Sequence, residues 1–153
     1  MACNGKLEVE VELKSPAEKV WDTLMNSTTI FPQALPHDYK SIQVLEGDGK
    51  SPGTIRLFTY KEGCSLVKVS KEKIELVDEA EKIYVYSIFE GDLMKYYKSV
   101  VAKIVVVPKG QSSLIKWSCE FEKVSEDIPD PNTLKEFAVK NFLEIDEYLQ
   151  TKA

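Results

Sequence analysis

The chain contains 153 residues, of which 43% are apolar and 29% are charged, with a formal net charge of −5. This composition is typical of a soluble globular protein and argues against a disordered or membrane-spanning chain, and the length fits one domain over residues 1–153. The three cysteines are odd in number and form no Cys-x-x-Cys pair, which argues against a disulfide framework or a zinc cluster. The first residues show neither an apolar leader segment nor a glycine for myristoylation. We therefore expect a cytoplasmic monomer without a metal or cofactor.

The first third of the chain is predicted to contain one strand and two short helices. Lys6–Lys14 alternates strictly between aliphatic and charged residues, the pattern of a half-buried strand. The following Ser15-Pro16-Ala17-Glu18 has the residues of a capping box, with proline at the first helical position. The apolar spacing of Val20–Met25 then predicts a helix, and a second short helix is predicted around Ile30–Ala34.

The middle of the chain is predicted to be an antiparallel meander. Its hydrophobic period is mostly two, and glycine-rich or acidic turns interrupt it at regular intervals. The unusual length of some segments favours a strongly curled sheet. The six predicted strands are Tyr39–Glu46, Thr54–Tyr60, Ser65–Val77, Lys82–Phe89, Lys95–Pro108 and Ser113–Lys123.

The last part of the chain is predicted to be an amphipathic helix of about sixteen residues, because the hydrophobic period changes to 3.6 after Pro131. Its apolar stripe consists of Leu134, Phe137, Ala138, Asn141, Phe142, Ile145 and Leu149. A curved sheet must cover its concave face, and this helix is the one predicted element long enough to do so. The order of elements therefore predicts an α+β fold, in which a seven-stranded antiparallel sheet wraps around a long C-terminal helix.

Several aromatic residues fall on strand faces that are predicted to point inward. They are Phe58, Tyr60, Tyr84, Tyr86 and Trp117, beneath Phe137 and Phe142 of the last helix. A solid aromatic core is one interpretation, since aromatic residues on inward faces usually serve packing. A ligand cavity is the other, because one helix does not readily fill the concavity of a long curled sheet.

Arg56 is the single arginine beside nineteen lysines, and it shares a strand face with Phe58 and Tyr60. An unpaired guanidinium is costly to bury. Three environments are therefore open for Arg56: an ordinary salt bridge, the mouth of a cavity, or pairing with an anionic group of a ligand.

No motif identifies a catalytic, metal or nucleotide site. Residues 47–53 include a Gly-Lys-Ser sequence, but the first glycine of a phosphate-binding loop is missing and a strand follows, so a glycine-rich hairpin is predicted. His37, the one histidine, lies in a polar loop and is expected at the surface. The acidic charge with scattered lysines argues against nucleic-acid binding.

Three segments resemble a known family. They are Glu46-Gly-Asp-Gly-Lys-Ser-Pro-Gly-Thr-Ile-Arg56, then Tyr86-Ser-Ile-Phe-Glu-Gly-Asp-Leu-Met-Lys-Tyr-Tyr-Lys98, and Ile115-Lys-Trp-Ser followed by Phe121-Glu-Lys. Together with the order of elements, these segments are similar to plant major latex proteins and to the pathogenesis-related proteins of the Bet v 1 superfamily. The resemblance implies the helix-grip, START-like fold with an internal hydrophobic cavity.

The resemblance also implies which residues line that cavity. Matched by position, the cavity-lining sites fall on Phe31, Arg56, Phe58, Tyr60, Leu66, Tyr84, Tyr86, Ile88, Val100, Trp117, Phe137 and Asn141. Ligands of the family include sterols, flavonoids, cytokinins and acyl lipids. The resemblance therefore implies a partner that is a small hydrophobic or amphipathic molecule, in a protein associated with defence or stress responses.

Two enzymatic alternatives come with the same family. Some relatives act as ribonucleases, but here Arg56 replaces the usual lysine and Tyr96-Tyr97 stands where an acid is expected, so that Glu147 and Tyr148 alone are comparable. The catalytic residues of relatives that condense alkaloid precursors have no clear counterparts. We therefore expect a non-enzymatic binding or carrier protein, with an enzyme that uses the same cavity as the alternative.

Overall fold

The structure is a computed structural model and describes residues 4–61 and 68–151. Seven strands and three α-helices are present in these ranges, with a short 3-10 turn at Asp92–Lys95. The strands are β1 Asn4–Leu13, β2 Tyr39–Glu46, β3 Ile55–Tyr60, β4 Val69–Asp78, β5 Ile83–Gly91, β6 Tyr97–Lys109 and β7 Ser112–Lys123. The helices are α1 Ala17–Met25, α2 Ser27–Ala34 and α3 Asn132–Thr151.

The strands form one antiparallel sheet with the order β1-β7-β6-β5-β4-β3-β2. Each of β2 to β7 pairs with its neighbour in sequence, whereas β1 pairs with β7, so the two short helices connect the opposite edges of the sheet. Register shifts interrupt three of the six pairings, which allows long strands to curl. The predicted seven-stranded antiparallel sheet with a long C-terminal helix is confirmed.

Most element boundaries lie within one to three residues of the predicted ones. Helix α3 has twenty residues, four more than predicted. The predicted strand Lys95–Pro108 begins only at Tyr97, because the 3-10 turn precedes it. The predicted start of the strand at Ser65 lies outside the described residues.

The predicted capping box at the start of α1 is wrong. Pro16 is the N-cap residue, and no side chain caps the helix. Instead, the backbone N–H groups of Lys14 and Ser15 each donate a hydrogen bond of 2.9 Å to the carboxylate of Asp146 in α3. The hydroxyl of Ser113 donates to the carbonyl oxygen of Ser15 at 2.8 Å. The junction between β1 and α1 is thus held by α3 and β7 rather than by its own side chains.

The Glu-Gly-Asp sequence at the end of β5 has a structural role. Gly91 has a φ of +120°, and a Cβ atom there would lie 2.5 Å from the carbonyl oxygen of Val69. Only glycine suits this backbone conformation and close approach. The carboxylate of Asp92 accepts hydrogen bonds from the backbone N–H groups of Lys68 and Val69. Gly91 and Asp92 therefore hold the end of β5 against the beginning of β4.

The core lies between the concave face of the sheet and the helices. The inward face of β7 is fully buried as predicted, at Ile115, Trp117, Cys119 and Phe121. From the other side, α1 contributes Trp21 and α3 contributes residues of its predicted stripe. Within the described ranges, no helix has both the length and the apolar character needed to cross a membrane.

Replacement of Asp146 by alanine should lower the free energy of unfolding by about 3 kcal/mol, because two hydrogen bonds to a charged acceptor are lost and two backbone N–H groups lose their partner. Chemical denaturation measures this loss. Glu147→Ala removes an exposed carboxylate from the same helix and should change stability by less than about 0.5 kcal/mol. Equal effects of the two substitutions would contradict a role of Asp146 in holding α3.

Candidate ligand-binding site

An internal cavity lies between α3 and the concave face of the sheet. Its volume is about 80 Å³. Its walls come from the α1–α2 corner, from strands β2 to β6 and from α3. The lining residues are Leu24, Ser27, Phe31, Tyr39, Arg56, Phe58, Tyr60, Glu72, Tyr84, Tyr86, Ile88, Ile104, Leu134, Phe137, Ala138, Asn141 and Phe142.

The structure brings most of the predicted site residues together around this cavity. Those that line it are Phe31, Arg56, Phe58, Tyr60, Tyr84, Tyr86, Ile88, Phe137 and Asn141. Val100 and Trp117 do not line it; both are 1% exposed and lie within the packed core. Leu66 lies outside the described residues.

Sequence reasoning missed several residues of the cavity wall, among them Tyr39 and Glu72. Leu134, Ala138 and Phe142 were placed on the apolar stripe of the last helix, which is the signal that could have identified them as wall residues. Glu72 pairs with Arg56 across the β3–β4 register. Only that register shows that its carboxyl group faces the same interior.

Arg56 is 3% exposed and is held by neutral groups. Its Nη1 donates to the hydroxyl oxygens of Ser27 at 2.8 Å and Thr28 at 3.3 Å, and its Nη2 donates to the phenol of Tyr84 at 2.7 Å. The guanidinium carbon lies 4.9 Å from the centre of the Phe58 ring, a cation–π distance. Its Nε is buried without a partner in the described part of the chain. The ordinary salt bridge that the sequence left open is not among these contacts.

Glu72 is 8% exposed, and no hydrogen bond to its carboxyl group is present among the described residues. Burial raises its pKa to about 7, although the neighbouring charge of Arg56 acts to lower it. Both protonated and ionised forms are therefore populated near neutral pH. Burial also raises the pKa of Tyr84 to about 12 and the pKa of Tyr86 well above its usual value, so these phenols stay neutral.

Tyr39 lies at the centre of the aromatic part of the cavity. Its ring centre is 5.5 to 6.2 Å from those of Phe31, Phe58, Tyr60 and Phe137. Distances in this range give favourable aromatic contacts. Burial raises the pKa of Tyr39 well above its usual value, so its hydroxyl keeps its proton.

Asp38, which directly precedes β2, and Tyr39, its first residue, bind two consecutive residues of α3. The Nζ of Lys140 lies 2.7 Å from a carboxylate oxygen of Asp38, and the side-chain amide of Asn141 donates to the Tyr39 hydroxyl at 2.7 Å. These two contacts connect the middle of α3 to the strand edge beside the cavity.

The cavity is small for the fold that contains it. Pockets for drug-sized ligands measure roughly 300 to 1,000 Å³. At about 80 Å³, the interior described here has room for only a few atoms unless side chains move. A larger ligand must therefore displace rings of the cavity wall, such as those of Tyr39 and Phe137, whose centres lie 5.8 Å apart.

Among the described residues outside the cavity, neither Cys119 nor a group of metal-binding side chains forms a second reactive centre. Cys119 is buried, and burial raises the pKa of its thiol to about 12, which makes it unreactive. No cluster of His, Cys, Asp and Glu suited to a metal ion occurs among the residues that the structure describes. Asp48 caps the backbone of the glycine-rich loop and β3 follows, so the predicted hairpin is confirmed, and His37 is exposed as predicted.

Comparisons with known proteins agree with this architecture. The family model for the pathogenesis-related protein Bet v 1 family matches residues 2–152. The chain is 56% identical to MLP-like protein 423 of Arabidopsis thaliana over 155 aligned residues, which cover 100% of both proteins. The crystal structure of major latex-like protein 151 from Panax ginseng superposes with a TM-score of 0.87 at 24% identity, covering 96% of this chain and 98% of that one. The structure of norcoclaurine synthase from Thalictrum flavum, solved with dopamine and hydroxybenzaldehyde, superposes with a TM-score of 0.76 at 22% identity, covering 98% of this chain and 88% of that one. The predicted helix-grip fold is confirmed.

The buried carboxyl group of Glu72 should make stability depend on pH. Its pKa is about 7 in the folded protein against an ordinary value of 4.5, so the unfolded chain ionises first as the pH rises. The free energy of unfolding should therefore fall by about 3 kcal/mol between about pH 4 and pH 8 on account of this group. Chemical denaturation of wild type and Glu72→Gln at several pH values measures the contribution, which the variant should lack.

Glu75→Gln is the matched control, because Glu75 is exposed on the same strand. This variant should keep the pH dependence of the wild type. If the free energy of unfolding depended on pH equally in wild type and Glu72→Gln, the carboxyl group of Glu72 would not be desolvated in the folded protein.

Proposed function

The chain belongs to the pathogenesis-related protein Bet v 1 family, and we propose that it is a binding protein for small hydrophobic or amphipathic molecules. Members of this family often bind hydrophobic ligands. The observation that carries the proposal is the cavity between α3 and the sheet, whose wall is mostly aromatic and aliphatic and whose few polar groups converge from different elements. Such a mixture is characteristic of small-molecule sites.

Desolvation would supply most of the binding free energy. Each buried methylene group contributes about 0.8 kcal/mol before entropic costs, so a flat polycyclic or acyl body reaches micromolar affinity with few hydrogen bonds. The ligand would take the space between α3 and strands β3 to β5. The rings of Tyr39, Tyr60 and Phe137 would have to move apart to admit it, at the cost of their mutual contacts.

Arg56 would orient the polar end of the ligand. Its present hydrogen-bonding partners are neutral hydroxyls, and its register partner on β4 is Glu72, whose pKa is raised to about 7 by burial. An anionic ligand could therefore pair with Arg56 while Glu72 takes up a proton. A neutral ligand would leave both groups as they are.

The biological setting of this proposal follows the family. We propose an intracellular carrier, monomeric and cytoplasmic, for plant metabolites, hormones, sterols or acyl lipids, linked to defence or stress responses. The similarity to MLP-like protein 423 and the name of the matching family support this setting.

Catalysis in the same cavity is the second candidate function, and Glu72 is the observation that favours it. A carboxyl group with a pKa of about 7 in an apolar cavity has the properties of a general acid or base. Steady turnover of a candidate substrate that is lost in Glu72→Gln would favour an enzyme over a binding protein. Ribonuclease activity is less compatible with the site, because Arg56 is buried where an RNA phosphate does not reach.

Arg56→Ala should weaken the binding of an anionic ligand more than that of a neutral ligand of the same shape. The probes are 2-naphthoate and 2-acetonaphthone, compared by isothermal titration calorimetry. We expect about a tenfold greater loss of affinity for the carboxylate, since a charge-assisted pair is removed only from that complex.

Lys103→Ala controls for the change in net charge, because Lys103 is exposed on β6 and does not line the cavity. It should leave both affinities within about twofold of wild type. Equal weakening of both probes by Arg56→Ala would remove Arg56 from the proposed role, and absence of binding by either probe to wild type would contradict the function itself.

A further inference from the structure

Asn141 lines the cavity and has a buried side-chain oxygen without a hydrogen-bond partner among the described residues. Asn141 is 4% exposed and lines the cavity from α3. Its Nδ2 donates to the Tyr39 hydroxyl at 2.7 Å. Its Oδ1 is buried and accepts no hydrogen bond from any described residue. An unsatisfied buried acceptor is destabilising, so its presence in the cavity wall calls for a physical explanation.

The hydroxyl of Tyr39 adds a complementary group at the same place. A phenol oxygen can accept one hydrogen bond and still donate its own proton. In this structure the oxygen accepts from Asn141, and no acceptor for its proton is found in the described ranges. The pair therefore presents one acceptor, Oδ1 of Asn141, and one donor, the O–H group of Tyr39, and both residues line the cavity.

The position of this pair is fixed by its surroundings. Rings pack around Tyr39 on several sides, and the ion pair between Asp38 and Lys140 holds the adjacent residues of β2 and α3 together. The pair is also separate from the polar groups around Arg56, which contacts Ser27, Thr28 and Tyr84 instead. The cavity thus contains two polar regions of different chemistry.

A neutral hydroxyl group is the ligand group that satisfies both members of the pair. It donates one hydrogen bond and accepts another, whereas a carboxylate, ketone or ether only accepts and an ammonium group only donates. We propose that Asn141 and Tyr39 form a subsite for a hydroxyl group on the ligand, with the ligand O–H donating to Oδ1 of Asn141 and the Tyr39 hydroxyl donating to the ligand oxygen. This subsite rests on the proposed function, since it belongs to the same ligand-binding cavity.

The subsite gives the cavity a preference that apolar contact alone does not. Between two ligands of equal shape, one with a hydroxyl and one with a methyl group, transfer from water favours the methyl compound. A hydroxyl that completes the pair reverses this order, because it satisfies groups that otherwise stay buried without partners.

The test compares 2-naphthol with 2-methylnaphthalene, which differ by a hydroxyl and a methyl group of similar size, at neutral pH by isothermal titration calorimetry. Wild type should bind 2-naphthol about tenfold more tightly. In Asn141→Leu the ratio of affinities should fall to about one or below, because the acceptor is replaced by an apolar group of similar volume. Glu147→Leu, an exposed substitution on the same helix, should keep the wild-type ratio.

Tyr39→Phe provides a second variant that retains the ring and removes only the donor. Its ratio should lie between those of wild type and Asn141→Leu, and this variant decides the matter if Asn141→Leu does not fold, as judged by circular dichroism. Equal affinities of the two probes for wild type, or a wild-type ratio in both variants, would overturn the subsite while leaving the proposed function intact. Failure of wild type to bind either probe would overturn the proposed function as well.

Discussion

The attachment of α3 to the concave face of the sheet is the interaction on which the rest of the structure depends. Apolar contacts supply most of the driving force, but three polar contacts between distant parts of the chain fix the position of the helix. Asp146 binds the backbone that leads into α1, while Lys140 and Asn141 bind the start of β2. The helix therefore spans both edges of the sheet, and the cavity is the space that this arrangement leaves unfilled.

The polar groups inside the cavity impose a second constraint, because each must remain hydrogen-bonded or neutral to be tolerated there. The guanidinium of Arg56 is surrounded by three hydroxyls and the face of Phe58. Glu72 reduces its cost by taking up a proton near neutral pH. The interior is thus chemically asymmetric, with a cation and a titrating acid on the sheet and a neutral amide on the helix. A cavity that binds only by apolar contact would not need these polar groups.

The fold could be predicted from local patterns, whereas the site depended on contacts that local patterns do not contain. The strand Tyr39–Glu46 was predicted with its observed boundaries, because alternation and turn residues determine it locally. The capping box failed because Asp146, 131 residues away from Ser15, provides the competing acceptor. Glu72 was missed because it stands between Lys71 and Lys73, as on an exposed strand, and only pairing with Arg56 reveals its direction. The inward strand faces indicated most of the cavity residues, and the family resemblance added Phe31 and Asn141, but the small volume depends on how the rings pack.

The distribution of polar contacts along α3 has a consequence for how the protein changes shape. In the described part of the helix, side-chain hydrogen bonds to other elements begin at Lys140. The cavity-lining residues Leu134, Phe137 and Ala138 precede it. Local opening costs least where few hydrogen bonds to other elements must break. Local opening of the cavity wall should therefore cost least in the first two turns of α3. Enlargement by fraying of these turns would leave the sheet, with its extensive ladder of backbone hydrogen bonds, unchanged in shape.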